Sequence, residues 1–546
     1  MTRTNPPDVE ALLAQLAANA AEIAALKARV STLEEELRLA QQHRFGPSSE
    51  KHMDRLFNEA EQAAGSDPDI DGDFDAGIDG LDTVDLPDTG LPELDKPEGS
   101  KRGRRPLPAD LPRERVEYDL PEDGKLCPCC RNPLHRMGEA MSEQLHIEIK
   151  AKVLQNVRFK YACRHCDRTG IKTPMVLAPM PAQPLPGSVA TPATLALMLA
   201  NKYVDGTPIY RLSQALGRAN VSLSRGAIAN WVIRSSQLHL ERIYDAMKEK
   251  LRLQPLIHGD ETFVQVLKEE GRQAQDTSYM WAYRSDQDSE EPIVLFDYQP
   301  GRGQKYPQAF LGDYRGLLMS DGYEAWRTIK GATHYGCMAH ARRKFTEALK
   351  AMKKPGGPPL QALAFFEALY KVERLARETD VTKGETRADI TRRLRQTHSL
   401  PVLAAFRKWL DDLAPKVLPK GKLGKAISYT RNQWDYLIRY VENGHAPIDN
   451  NLLERDIRPF CTGRNSWLFS DTPAGAKASA VVYSLMLTCR ACGIDLYVWL
   501  RFVLTELPQR PAEDDITDLL PFNFAKARVA PCGSRHDATV ASRLCP

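Results

Sequence analysis

Val9, Leu16, Ile23, Val30 and Leu37 stand seven residues apart, and all are apolar. Leu12, Asn19, Leu26, Leu33 and Ala40 form a second series three residues later, with Asn19 its one polar member. An apolar repeat sustained this long predicts a helix whose seam is buried against a partner helix. No glycine or proline interrupts Val9–Arg44. The expectation for 9–44 is therefore a coiled coil, and Ile and Val in the first series with Leu in the second favour a parallel dimer. The alternative is an amphipathic helix lying on the protein's own core.

The rest of the chain is long enough for more. Its 546 residues suggest three or four domains at roughly 150 residues each. Net charge is only +3, but Asp67–Asp95 holds eleven acidic residues and no Lys or Arg. The remainder is correspondingly basic, which points to nucleic acid as partner, although a solvated surface beside an acidic linker has the same balance. The N-terminus lacks the apolar core of a signal peptide. Apolar runs fall short of the ~18 residues a membrane span needs. The expected location is the cytoplasm, associated with the nucleoid, with no membrane partner. Eleven cysteines in such a compartment are not expected to form disulfides.

The fold class expected is multidomain α+β. Residues 64–99, rich in Asp, Gly and Pro, read as an acidic disordered linker. The charge then flips over 101–117, where Arg102, Arg104 and Arg105 form a slim basic arm suited to a narrow minor groove. Residues 118–170 read as a zinc-binding domain, 191–250 as a helical DNA-binding region, and 253–480 as an α/β catalytic domain with a helical insertion at about 341–445. A Pro/Gly break falls at 355–359, and a turn is expected near Gly463. Residues 481–522 read as a C-terminal helical segment and 523–546 as a disordered tail.

Cys127 and Cys130 form one C-x2-C knuckle, and Cys163 and Cys166 a second, separated from it by 32 residues. Two such knuckles complete a tetrahedral Zn²⁺ site, with Cys129 left over. A small segment with so little core draws folding energy from the metal. The ribbon either binds DNA or only braces the fold.

Tyr210–Gly217 followed by Arg218–Val232 fits a helix-turn-helix with Gly217 near the turn. Ser222 or Ser224 would cap the second helix. Ile228, Trp231 and Val232 would face the core, and Arg225 and Asn230 the DNA.

Three carboxylates stand in contexts suited to chemistry. Asp260 ends the apolar run LIHGD, Asp321 ends GLLMSD, and Glu454 lies in IDNNLLERDIRPF, a predicted helix. Two strand aspartates and a helix glutamate are how a ribonuclease-H-like fold assembles two divalent metals. Two metals about 3.5–4 Å apart can activate water and stabilise a leaving oxygen. Hard Mg²⁺, or Mn²⁺ in its place, suits such oxygen ligands. Any one of the three is equally a surface carboxylate or a helix cap, and Asp449 reads as such a cap.

The stretches LCPCC with YACRHC, LIHGDETFVQVL, LLMSDGYEAW, YGCMAHARRKF, APIDNNLLERDIRPFCTGRNSWLF and YSLMLTCRACGIDLYVWLRFVLTELP, in this order, resemble the IS66-family transposases. The resemblance runs from Val9 to about Phe522. It implies a DDE transposase of a bacterial insertion sequence, with Asp260, Asp321 and Glu454 as triad. It also implies a leucine zipper, a zinc-binding domain, a helical insertion before the glutamate, and small accessory proteins from the same element. Such an enzyme binds the terminal inverted repeats, cleaves the 3′ ends and joins them to target DNA, assembling with its own copies.

His340, in CMAHARRK, is expected either to contact the scissile phosphate or orient Asp321, or simply to pack on a helix face. Arg342, Arg343 and Lys344 are expected on backbone phosphates, as are Arg458 and Arg464 in the glutamate's own stretch. Cys489 and Cys492 read as core cysteines. Two other functions compete: a non-catalytic, zinc-containing DNA-binding regulator, and an inactive transposase remnant.

Overall fold

The computed structural model describes residues 9–45, 113–115, 125, 132, 151–162, 168, 175–352, 356–381 and 384–529. The acidic linker, Arg102, Arg104, Arg105, the four knuckle cysteines and 530–546 lie outside the described residues. The chain divides into two compact units, 95–157 and the remainder. In the smaller, 151–157 are exposed and carry no regular structure.

In the larger unit the heptad forms one helix, α1 (Val9–Phe45). Its apolar series stays outside: Leu16, Ile23, Leu26, Val30, Leu33 and Leu37 are all exposed. The side of α1 that touches the body is different. Glu35 accepts the backbone N–H of Lys422 at 3.0 Å, and Arg38 donates to the carbonyl of Ala351 at 2.7 Å. Both contacts satisfy orphan groups at the ends of other helices. The alternative of a core-buried amphipathic helix is therefore not what is found.

A two-residue ladder joins β1 (Lys160–Tyr161) to β2 (Val176–Leu177). Three helices then follow: α2 (Pro192–Tyr203), α3 (Ile209–Arg218) and α4 (Arg225–Ser235). Ser224 caps α4 by accepting from the Ala227 N–H, and Ile228, Trp231 and Val232 are buried, as expected. The turn itself falls on Asn220, which has φ 59°. Gly217 remains inside α3, because asparagine tolerates the left-handed conformation the turn requires. Helix α5 (Glu241–Arg252) leads into the sheet.

The sheet has five strands in the order β5-β4-β3-β6-β7. They are β3 (Leu256–Gln265), β4 (Thr277–Ser285), β5 (Val294–Gln299), β6 (Leu317–Ser320) and β7 (Thr333–Gly336), with helix α6 (Lys305–Leu311) between β5 and β6. The first three are antiparallel neighbours, whereas β3–β6 and β6–β7 are parallel. The near-continuous apolar runs of the sequence belong to these doubly covered strands.

Beyond β7 the chain turns helical: α7 (Met338–Lys350), α8 (Gly357–Glu378), α9 (Arg387–Leu394), α10 (Leu400–Leu413) and α11 (Lys422–Asn432). Phe345, Phe365, Phe366, Phe406 and Leu410 fill a second core here, continuous with Met319 and Tyr335 of the sheet. Buried Arg395 holds Glu373 through two hydrogen bonds, 2.8 and 2.6 Å. It also donates to the carbonyls of Tyr440, Asn443 and Ala446. A buried guanidinium with this many partners is fully satisfied, and it fixes the path by which the insertion returns to the sheet.

Helix α12 (Asn451–Trp467) follows, then α13 (Pro473–Ala491), α14 (Leu496–Glu506) and α15 (Pro521–Val529). The turn expected at Gly463 is absent, and α12 runs on to Trp467. Gly463 is there for contact instead: a Cβ would lie 2.5 Å from the Tyr483 hydroxyl. Residues 523–529, expected in the disordered tail, instead belong to α15, where Phe522 and Phe524 are buried. Helix α13 covers the outer edge of the sheet. Ser484 and Thr488 accept the β5 N–H groups of Phe296 and Val294, at 2.7 and 3.0 Å, closing an edge that would otherwise recruit other strands. Among the described residues, no single helix is long and apolar enough to cross a membrane.

Candidate active site

Strand register brings the first two carboxylates together. On neighbouring parallel strands His258 pairs with Met319. Continuing two residues sets Asp260 beside Asp321, at the carboxyl end of β6. Asp321 stands just after the strand and accepts the Tyr323 N–H at 2.8 Å, which holds its carboxylate in the turn. Asp260 accepts the N–H of Glu261 at 2.8 Å.

Glu454 arrives from 133 residues beyond Asp321, in the first turn of α12. Three features hold that helix against β3. Leu453, Ile457 and Phe460 enter the main core. Asp456, two residues past Glu454, is buried between Arg284 of β4 and Arg490 of α13. Asn450, completely buried, works at the helix start. It accepts from His258 Nδ1 at 2.8 Å, donates Nδ2 to the Gly259 carbonyl at 3.1 Å, and gives its backbone N–H to Cys337 Sγ at 3.1 Å. One side chain thus ties the strand of Asp260 to the helix of Glu454.

The electrostatics follow from this crowding. Burial, then the charges of Glu261, Glu454 and Asp321, push the Asp260 carboxyl well above the usual range. Burial and Asp321 also raise Glu261, against the pull of Arg302. Burial beside like charges disfavours the ionised form of a carboxyl in this way. Glu454 Oε2 pairs with Arg343 at 2.5 Å, and its Oε1 is buried without a hydrogen-bond partner. His340 Nδ1 lies 3.4 Å from that oxygen. Burial and Arg343 push the His340 ring down to about 4, so it is neutral at pH 7. Cys337, His340 and Glu454 bring ligand atoms within 4.8 Å of one another. The carboxylate set, with its unpartnered oxygen, fits a hard divalent cation.

Other expected residues fall differently. Arg342 is buried, 5.9 Å from the Tyr370 ring, and is not presented to solvent as a phosphate contact would be. Its place on the inner side of α7 decides this, where the next residue, Arg343, faces out. Lys344 lies over Tyr429 at 4.5 Å. Arg225 is exposed at the start of α4. Arg458 and Arg464 are half-buried on α12 beyond Glu454. Asp449 stands one residue before the cap position, which is Asn450; it accepts the Asn451 N–H at 3.0 Å and receives the Tyr370 hydroxyl from α8 at 2.6 Å.

Four participants were not singled out from sequence: Glu261, Asn450, His258 and Trp326. Glu261 accepts from Trp326 Nε1 at 2.9 Å and from Arg302 Nε at 2.7 Å. The one available signal was its adjacency to Asp260. Gly259 makes room for the indole: a Cβ there would stand 2.6 Å from the Trp326 ring. Gly259→Ala is expected to lower stability by about 1–3 kcal/mol through overpacking. A thermal melt followed by tryptophan fluorescence checks this, and an unchanged midpoint contradicts it.

Fold and site together define a class: a mixed helix-and-sheet protein whose acidic centre is built from the middle of one long strand, the end of a second and the first turn of a helix. The comparisons with known proteins narrow it. Residues 187–478 match the model for "Transposase IS66 family". Residues 125–167 match the zinc-finger binding domain of transposase IS66, and 484–522 the IS66 C-terminal element. Residues 32–116 match "Transposase C of IS166 homeodomain". Uncharacterized protein y4jD of Sinorhizobium fredii is 30% identical over 80% of this chain and 86% of its own length. Uncharacterized protein y4qI of the same organism is 30% identical over 94% of this chain and 93% of its own. The chain belongs to the IS66 transposase family, and carries that family's zinc-binding and DNA-binding domains.

Proposed function

We propose that this transposase cleaves and rejoins DNA at the ends of its element through Asp260, Asp321 and Glu454, on a ribonuclease-H-like core. The observation that carries this reading is the register of β3 and β6, which sets Asp260 beside Asp321 while Glu454 bears on the same carboxyl. The strand order, with two antiparallel and two parallel pairings, supports the core assignment. The three carboxylates would hold divalent cations, Mg²⁺ or Mn²⁺. Bound there, such cations supply Lewis-acid polarisation of the phosphate and a lowered water pKa.

The chain's own groups do the rest. Arg343 holds Glu454 through Oε2, and His340 lies beside its other oxygen. Arg302, tied to Glu261 and stacked 3.9 Å over Tyr323, adds positive charge at the rim. Arg225 on the helix-turn-helix, the basic arm of Arg102, Arg104 and Arg105, and Lys344, Arg458 and Arg464 would bind DNA. The exposed apolar stripe of α1 supports pairing with a second copy, which would bring two element ends into one assembly. The test is nicking of a labelled element end by the full chain with Mg²⁺, Mn²⁺ or Ca²⁺. Cleavage with the first two is expected, and cleavage in EDTA would refute the reading.

Zn²⁺ would sit on Cys127, Cys130, Cys163 and Cys166, a thiolate set suited to a structural site. Cys166→Ser is expected to lose one zinc per chain by native mass spectrometry and to loosen the module that depends on it. Full zinc retention contradicts that ligand set.

A further inference from the structure

Helix α12 ends in a strained turn. Leu468 has φ 65° and ψ −49°, and the Phe469 N–H donates to the Trp467 carbonyl at 2.8 Å. This is the γ-turn of positive φ, which is rare and strained for a leucine. Its effect is to carry two large apolar side chains outward. Leu468 is 63% exposed and Phe469 43%, while Trp467 turns inward against Phe460. The segment is not loose. Ser470 donates to the Gln265 carbonyl at 2.9 Å and accepts from Leu267 at 3.0 Å, fastening it beside the end of β3.

On β3 itself Phe263 is 53% exposed. Arg464 lies on its ring at 3.6 Å, held by a 3.0 Å hydrogen bond to Thr262 Oγ1. Outward aromatics at a strained turn, with a fixed cation on one ring, are what a stacking surface for nucleic acid requires. Phe263 is three residues beyond Asp260, about 10 Å along the strand. The odd spacing puts the two side chains on opposite faces of β3, so a DNA strand at Asp260 reaches Phe263 over the edge that β3 presents beyond its pairing with β6, a path of a few nucleotides at ~3.4 Å each.

We propose that Phe263, braced by Arg464 and flanked on the same rim by Leu468 and Phe469, stacks an unpaired base of the DNA end a few nucleotides from the scissile phosphate. The partner is an unpaired nucleotide because a base inside a duplex does not offer its face to a side chain. Stacking of this kind tolerates any base, since each has a π-face. The inference rests on the DNA-cleaving reading above.

The test uses the full chain and two labelled probes: a blunt duplex, and the same duplex with three terminal pairs left unpaired and one replaced by 2-aminopurine. Wild type is expected to bind the forked probe about tenfold more tightly and to quench its fluorescence. Phe263→Ala and Phe469→Ala lose both effects but bind the blunt duplex as wild type does. Phe263→Trp retains them. Leu468→Gly, which relieves the positive-φ strain, melts no lower than wild type and loses part of the preference. Variants that keep the wild-type preference overturn the proposal, as does a wild type without one. Variants that change sedimentation but not fork preference assign the patch to a second copy of this chain. A wild type that does not bind the blunt duplex removes the DNA reading itself, and the stacking surface with it.

Discussion

Asp260→Ala, Asp321→Ala and Glu454→Ala are each expected to reduce Mg²⁺-dependent nicking by at least about 10³-fold, since a lost ligand removes several kcal/mol of transition-state stabilisation. The three losses should be alike, and the triple variant little worse, because residues acting as a unit are not additive. Glu454→Gln is the sharper probe. It keeps the size of the side chain and one acceptor for Arg343, yet removes the charge. It should be as inactive as the alanine variant while melting close to wild type. DNA binding should persist in all five, since it rests on phosphate contacts elsewhere. Nicking of a labelled element end, measured beside a filter-binding or anisotropy titration, separates the two. Near-wild-type nicking by any one variant removes that residue from the triad.

Asn450→Ala should be nearly as damaging, although Asn450 is placed to touch neither metal nor DNA. The substitution strips His258 Nδ1 and the Gly259 carbonyl of their partners in a fully buried place. An orphaned buried group costs about 1–3 kcal/mol, so the melting temperature should fall. It also unties α12 from β3, and a misplacement of ~1 Å at a reacting centre costs about 100-fold in rate. The expected signature is a higher Mg²⁺ concentration for half-maximal nicking, which simple loss of folded protein would not produce. Asn450→Asp retains the acceptor for His258 but loses the donor to Gly259, and should fall between. An unchanged Mg²⁺ midpoint in both variants would limit Asn450 to a role in stability.

Much of the architecture could be read locally. The heptad of Val9–Leu37 predicts α1 because an i, i+7 apolar pattern has few other solutions. Ser224 is a cap because its hydroxyl can satisfy a helix N–H two or three residues on. Asp260 and Asp321 could be picked out because each ends an apolar run; Asp321 does stand just past a strand, whereas Asp260 lies within β3, whose ladder runs on to Gln265.

Other features had no local signature. Gly463 looked like a turn from its residue type, but its packing against Tyr483 makes it a contact point inside a continuous helix. Leu468 carries the break instead, against its own backbone preference. Arg342 and Arg343 are adjacent and chemically alike. Only the orientation of α7 buries the first and turns the second onto Glu454.

What the sequence determined by itself is the family and most of the elements, with three carboxylates as candidates, because repeats, knuckles and apolar runs depend on neighbours a few residues away. The tertiary structure alone decided how Glu454 reaches Asp260. That depends on Asn450 meeting His258 across 192 residues, on Asp456 between two arginines, and on Arg395 steering the insertion home. Such contacts arise only when distant segments pack in one core, where a buried polar group must find whichever partner the fold brings to it.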